Sequence, residues 1–201
     1  MKALLLIDIQ YDFLPGGALA VPEGDVIIPI INAIQDQFDL VVATQDWHPT
    51  GHKSFASSHP VKNVFETIEL QGLQQVLWPD HCVQGTCGAE LTDAVNWNRT
   101  EAIFRKGTSL EIDSYSGFYD NGHLKATGLA EYLKGRQITD VYVAGLAADY
   151  CVYFTAKDAL QVGFNTYVIE DATKAISADG FVQAKKDLQD KGGHIIQSSV
   201  L

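Results

Sequence analysis

Apolar residues along this chain gather into short, near-continuous runs separated by longer amphipathic stretches. The runs lie at 3–8, 39–44, 101–105, 139–145, 165–169 and 194–198. Each has the length of a strand and lacks the in-and-out alternation of a half-exposed sheet, so it predicts strands covered on both faces. Helix-like spacing falls near 25–37, 88–96, 122–135, 150–162 and 178–191. Strands alternating with helices predict an α/β fold with a mainly parallel six-stranded sheet.

One stretch breaks the rhythm. From Gln45 to Gly88 the chain carries Trp47, Trp78, four of its six histidines and three of its six prolines. A connection that long inside a compact domain is usually functional, and we read it as an irregular arm crossing the strand ends. No Pro/Gly/Ser linker divides the chain, so residues 1–201 read as one domain.

Composition narrows the function classes. With 201 residues and 46% hydrophobic content the chain can bury a sizeable core. A formal charge of −11 and the lack of any Lys/Arg run argue against nucleic acid or an anionic membrane as partner. The first apolar run stops at Asp8, too early for a signal peptide or a membrane span. Three cysteines without repeating spacing do not make a disulfide framework, so the expected location is a reducing cytoplasm.

Candidate chemistry sits at the strand ends. In Val141-Tyr-Val-Ala-Gly-Leu-Ala-Ala-Asp-Tyr-Cys-Val152 an apolar strand and a short turn lead to Cys151 at the start of a predicted helix. Free N–H groups and the helix dipole there favour a thiolate. Asp8 closes the first strand and Lys106 follows Ala102-Ile-Phe-Arg105; a parallel sheet gathers such ends at one edge. A cysteine pKa near 8.5 needs a shift of roughly two units to be mostly thiolate at neutral pH. The helix terminus contributes about 0.3 to 1 kcal/mol, so the Lys106 ammonium must contribute the larger part, and Asp8 suits the role of proton acceptor.

A second constellation offers metal ligands. In Asp46-Trp-His48 an extended backbone turns a carboxylate and an imidazole to the same side. His81, in Trp78-Pro-Asp-His-Cys-Val-Gln-Gly85, is the third candidate from the same arm. His52 and His59 are spare imidazoles nearby; His123 reads as a solvent-facing helix start and His194 as a strand residue. Cys82 and Cys87 read as packing residues.

Taken in order, Asp8, Asp46-Trp-His48, Trp78-Pro-Asp-His-Cys-Val-Gln84, Lys106-Gly107, Asp113-Ser-Tyr-Ser-Gly-Phe118, Gly145-Leu-Ala-Ala-Asp-Tyr-Cys-Val152 and Glu170-Asp-Ala172 resemble the nicotinamidases of the isochorismatase-like hydrolase superfamily. The resemblance implies a Rossmann-like three-layer α/β/α fold and hydrolysis of nicotinamide to nicotinate and ammonia, in NAD salvage. It implies Cys151 as nucleophile with Asp8 and Lys106 completing a triad, and Asp46, His48 and His81 as ligands of one divalent metal ion, zinc first, with iron or manganese suiting the same donors.

Further implications are a cis peptide between Leu146 and Ala147, an oxyanion hole from the N–H groups of Ala147 and Cys151, and a substrate pocket walled by Phe13, Leu19, Trp78 and Tyr115. Alignment through Phe55 puts Ser54 where the family sometimes has a fourth ligand, with His52 two residues earlier. Ala148 replaces a common threonine. A related amidase acting on another small amide, or a non-catalytic metal-dependent binding protein, are the alternative readings. A homo-oligomer is compatible with either.

Overall fold

The computed structural model describes residues 1–201. Its strands are β1 (Lys2–Ile7), β2 (Leu40–Asp46), β3 (Thr67–Leu70), β4 (Leu73–Val76), β5 (Thr100–Lys106), β6 (Asp140–Leu146), β7 (Asn165–Lys174) and β8 (His194–Ile196). Its α-helices are α1 (Ile28–Ile34), α2 (Leu129–Gly135), α3 (Cys151–Val162) and α4 (Ala178–Asp190). Six strands form one sheet in the order β5-β2-β1-β6-β7-β8, and every pairing within it is parallel.

The central strand β1 shows why the sheet needs cover on both sides. Leu4 and Leu6 point into a core built with Ile27, Ile31 and Val41 and closed by arm residues Trp78 and Cys82. Ala3, Leu5 and Ile7 point the other way, against Leu129 and Leu133 of α2, Val152 and Ala156 of α3 and Leu188 of α4. All of Leu4, Leu5, Leu6 and Ile7 are fully buried, each contributing about 1.5–3 kcal/mol of apolar transfer. The α/β expectation holds, and the sheet is wholly rather than mainly parallel; cover on both faces does not extend to the edge strand β5, which alternates and exposes Glu101, Ile103 and Arg105.

Chain order reverses about β1, which pairs with β2 on one side and with the later β6 on the other. That is the topological switch point, where open α/β sheets leave a crevice at the carboxyl ends of their strands. Gly145 near the end of β6 makes the close approach feasible: at φ +118° its Cβ position would lie 2.1 Å from the Ile7 carbonyl oxygen, which no L side chain tolerates.

Several local expectations need correction. The arm is not wholly irregular, because β3 and β4 pair as an antiparallel hairpin. The stretch 88–96 is not an α-helix: a 3-10 turn at Cys87–Ala89 leads through irregular backbone to another at Trp97–Arg99. There the Thr92 hydroxyl accepts from Ala94 N–H and the Asn96 side chain from Asn98 N–H, offering the backbone an alternative to a helix. In 122–135 only Leu129–Gly135 is helical; the Asp120 carboxylate takes the N–H groups of Gly122 and Leu124 instead. His123 therefore lies in a turn at φ +54°, stacked on Tyr119, and not at a helix start. β7 runs on to Lys174 through a bulge, its register against β6 shifting between Val143 and Gly145.

Candidate active site

Four strand ends meet around one ammonium group. Lys106, last residue of β5, is buried at 2% exposure. Its Nζ lies 2.9 Å from Asp8 Oδ2, 3.1 Å from Asp46 Oδ1 and 3.5 Å from Cys151 Sγ, and it donates to the Ser114 carbonyl at 2.9 Å. The two carboxylate oxygens stand at ion-pair distance but off the direction of a hydrogen bond. Burial works against the charged lysine, yet Asp46, Asp8 and the Cys151 sulfur together hold its pKa well above the ordinary value.

Asp8 itself sits in the left-handed region at φ +47°. Its Oδ1 accepts a 2.6 Å hydrogen bond from the Thr44 hydroxyl, which in turn accepts from Asp8 N–H. Full burial raises the Asp8 pKa, only partly offset by Lys106. Burial also pushes the Cys151 thiol well above its usual value, again only partly offset by Lys106. Burial thus opposes the thiolate that the helix start favours. Cys151 is 6% exposed, and the desolvation of its sulfur works against the helix terminus.

The turn from β6 into α3 presents two backbone donors. The Leu146–Ala147 peptide is cis, as the resemblance implies. Ala147 N–H donates to no acceptor within the chain, and Cys151, as first residue of α3, has no intrahelical acceptor for its own. Ala148 N–H is tied to the Lys174 carbonyl, while the Asp149 carboxylate accepts from Ile176 and Ser177 N–H at 3.0 and 2.8 Å. The turn is thereby fixed to the end of β7.

On the far side of Lys106 the ligand candidates converge. Asp46 Oδ2 lies 3.0 Å from His48 Nε2 and 3.5 Å from His81 Nε2, and all three residues are buried. Each imidazole is oriented through its other nitrogen: His48 Nδ1 donates to the Gly107 carbonyl at 3.0 Å and His81 Nδ1 to that of Pro79 at 2.8 Å. Carbonyls only accept, so both Nδ1 atoms carry hydrogen and both Nε2 lone pairs face the Asp46 carboxylate. Only a proton or a cation between them makes that arrangement favourable. Without a cation the proton is drawn to His48: burial works against its charge, but Asp46 prevails and raises its pKa. Asp46, also desolvated, is held well below the carboxylate range by His48 and Lys106. Gly107, at φ +63°, leaves the space: a Cβ there would stand 2.5 Å from the His48 ring and 2.7 Å from Asp46.

Ser54 and His52 are both buried. Ser54 Oγ bonds His52 Nδ1 at 2.7 Å, and the His52 ring lies 4.3 Å from that of His48, beside His48 and Asp113.

Between the two halves runs a narrow slot lined by Phe13, Leu19, Trp78, His81, Tyr115, Ala147, Tyr150, Cys151, Ile176 and the carboxylates of Asp46 and Asp113. Trp78 packs edge-on to Tyr150 and Tyr115, and its indole N–H donates to the Tyr115 hydroxyl. The slot therefore brings all four expected pocket residues together with the cysteine and two of the ligand candidates. Asp113, Tyr150, Ile176 and Thr44 carried no assigned role in the sequence. Asp113 stood inside a quoted motif, and Tyr150 next to the cysteine; Thr44 left no signal beyond its strand-end position, and Ile176 left none.

A match to the isochorismatase domain spans residues 2–199. A nicotinamidase of Acinetobacter baylyi is 52% identical over 181 residues, covering 90% of this chain and 85% of that protein. The structure of a nicotinamidase/pyrazinamidase from Acinetobacter baumanii superposes with a TM-score of 0.96 at 50% identity, over 99% of this chain and 97% of that one. That of a Pyrococcus horikoshii pyrazinamidase in complex with zinc does so at 0.80 and 38%, over 98% of each. The chain belongs to the isochorismatase domain family. Within it, the similarity is to the nicotinamidases.

Proposed function

We infer that this protein hydrolyses nicotinamide to nicotinate and ammonia through a thioester on Cys151, and that it serves NAD salvage in the cytoplasm. The observation that carries the reading is the single ammonium of Lys106 bridging a buried thiol, a buried base and a metal-ligand carboxylate, with the thiol and that carboxylate lining an aromatic slot.

The resting nucleophile in this reading is the neutral thiol. As Cys151 Sγ bonds to the amide carbon, its proton passes to Asp8, whose raised pKa makes it a stronger base than an ordinary carboxylate. The developing oxyanion accepts from the N–H groups of Ala147 and Cys151. Asp8 then gives its proton to the departing nitrogen, the C–N bond breaks and ammonia leaves. Water attacks the thioester carbon, its proton goes to Asp8, and cleavage of the C–S bond with return of that proton to sulfur regenerates the thiol. Lys106 keeps Asp8 and the sulfur in register throughout, and Phe13, Leu19, Trp78 and Tyr115 enclose the flat ring.

Asp46, His48 and His81 would hold a divalent cation. The two oriented Nε2 lone pairs and the ionised carboxylate fit that role, and zinc, named for the Pyrococcus horikoshii relative, suits a mixed nitrogen and oxygen set, as do iron and manganese. When bound, such an ion offers a Lewis-acidic position for the pyridine nitrogen, directly or through water.

Steady-state ammonia release from nicotinamide, with Cys151→Ala beside the wild type, tests the reading. We expect turnover in the wild type and none in the variant. A folded, metal-loaded wild type that releases no ammonia from nicotinamide refutes it.

A further inference from the structure

The segment after β1 carries polar side chains at alternate positions, and each serves a different part of the centre. Asp8 meets Lys106 and Thr44, as above. Gln10 is fully buried and grips Asp46 by both backbone groups: its Oε1 accepts from Asp46 N–H and its Nε2 donates to the Asp46 carbonyl, each at 2.8 Å. The second Nε2 hydrogen goes to the Ala89 carbonyl at 2.8 Å, so the amide is saturated. Asp12 reaches the arm instead, its Oδ2 accepting from Cys82 N–H at 2.7 Å and its Oδ1 from Ala18 N–H at 3.2 Å. Cys82 directly follows His81 and stands at φ +47°, a conformation that a non-glycine residue holds only under external constraint.

The space around Asp12 is built to this contact. A Cβ on Gly88 would lie 2.3 Å from the Asp12 carboxylate, and one on Gly17 would lie 2.4 Å from its carbonyl oxygen. His48 has a separate tie to the arm, its N–H donating to the Cys82 carbonyl and its carbonyl accepting from Gln84 N–H. Asp46 and His81 have no comparable backbone tie to each other, although their side chains must meet at one ion.

We propose that Gln10 and Asp12 are positioning residues of the metal centre, Gln10 setting the height of Asp46 and Asp12 that of His81, so that one five-residue segment registers the ligands against the base Asp8. The inference rests on the assignment of Asp46, His48 and His81 as ligands. Partners of this kind typically cost about 10- to 100-fold in metal affinity when removed. Asp12 touches neither Lys106, Cys151 nor Asp46 among the contacts above, so its change should leave the nucleophile in place, whereas Gln10 holds Asp46, which stands 3.1 Å from Lys106 Nζ.

The test compares the wild type with Gln10→Met, which keeps length and loses all three hydrogen bonds, and Asp12→Asn, which keeps shape and turns one acceptor into a donor. Zinc affinity is measured by competition with a chelating indicator, Cys151 by its iodoacetamide alkylation rate, and turnover by KM and kcat for nicotinamide with saturating zinc. The expected result is zinc binding weakened about 10- to 100-fold in both variants, a raised KM and, for Asp12→Asn, an alkylation rate within about twofold of wild type. Unchanged zinc affinity overturns the proposal, and so does an Asp12→Asn alkylation rate that falls in parallel with affinity, which would mark a general loosening of the fold. Should Gln10→Met fail to fold, Asp12→Asn is judged by the same criteria. A wild type that binds neither zinc, iron nor manganese overturns the ligand assignment itself, an outcome distinct from equal binding by wild type and variants.

Discussion

Replacing Asp8 by Asn separates two roles that a carboxylate beside a thiol can play. Asn accepts the left-handed backbone that Asp8 adopts at φ +47° and can keep the Thr44 hydrogen bond, so the substitution removes charge and basicity with little change of shape. As proton carrier, Asp8 should be worth about 10²- to 10⁴-fold in kcat/KM, or roughly 3 to 5 kcal/mol. The charge term runs the other way. Lys106 Nζ at 3.5 Å from the sulfur favours a thiolate by about 5 kcal/mol at an effective dielectric near 20, and the Asp8 charge counters it. A unit charge about 4 Å away would counter by up to about 4 kcal/mol on the same scale. Removing it should lower the Cys151 pKa and speed alkylation at neutral pH while ammonia release collapses. The assay is paired: iodoacetamide alkylation followed by mass, and ammonia release on the same preparation. If both rates fall together, the sulfur needs Asp8 to take its proton even for alkylation and the electrostatic argument is wrong; a loss in kcat/KM below about tenfold refutes the proton-carrier role.

Three further outcomes follow from the same cluster. Lys106→Met strands the Asp8 and Asp46 carboxylates in a buried site, and should lower unfolding free energy by about 3–5 kcal/mol in a denaturant titration; a loss under about 1 kcal/mol would mean both carboxylates are solvated or protonated. The acid limb of kcat/KM should lie above the ordinary carboxylate value of 3.8, because Asp8 is raised and a base is lost as pH falls through its own pKa; a limb at or below 3.8, or one that survives Asp8→Asn, contradicts this. Gly107→Ala should abolish zinc retention measured after dialysis, since the new Cβ enters the space of the His48 ring, whereas Gly135→Ala, with nothing within 4 Å, should retain it.

The buried strands were legible because a doubly covered strand leaves no polar alternation to confuse with a loop, as Ala3-Leu-Leu-Leu-Ile7 illustrates. The β3–β4 hairpin was hidden for the opposite reason. Its exposed face alternates, its strands are four residues long, and its turn puts Gln71 at φ +52° before Gly72 at +77° where Asn-Gly would have announced a tight hairpin. In the site, residue types at strand ends marked Asp8, Asp46, Lys106 and Cys151 before any fold was known. The burial that opposes ionisation of Cys151 was not legible, since the helix dipole acts locally whereas desolvation depends on every element packed round the sulfur. Gln10 and Asp12 escaped for a related reason: a glutamine that binds another residue's backbone leaves no pattern that pairs the two positions in sequence.

Asp8 and Asp46 show how one ammonium can give two like groups opposite work. Both carboxylates are buried and lie about 3 Å from Lys106 Nζ, and burial alone would raise both. Their remaining partners decide the outcome. Asp46 also faces His48 and His81 and is held well below its ordinary pKa, so it remains an anion suited to a cation. Asp8 has a neutral hydroxyl as its other partner and feels the Asp46 charge across the lysine, which pushes it up. Titratable pairs driven apart in this way mark the division between the group that stays charged and the group that carries the proton. The same contacts tie the halves of the site together. Neutralising Asp46, as in Asp46→Asn, should lower the Asp8 pKa and move the acid limb of kcat to lower pH, and an unmoved limb would show that the two carboxylates titrate independently.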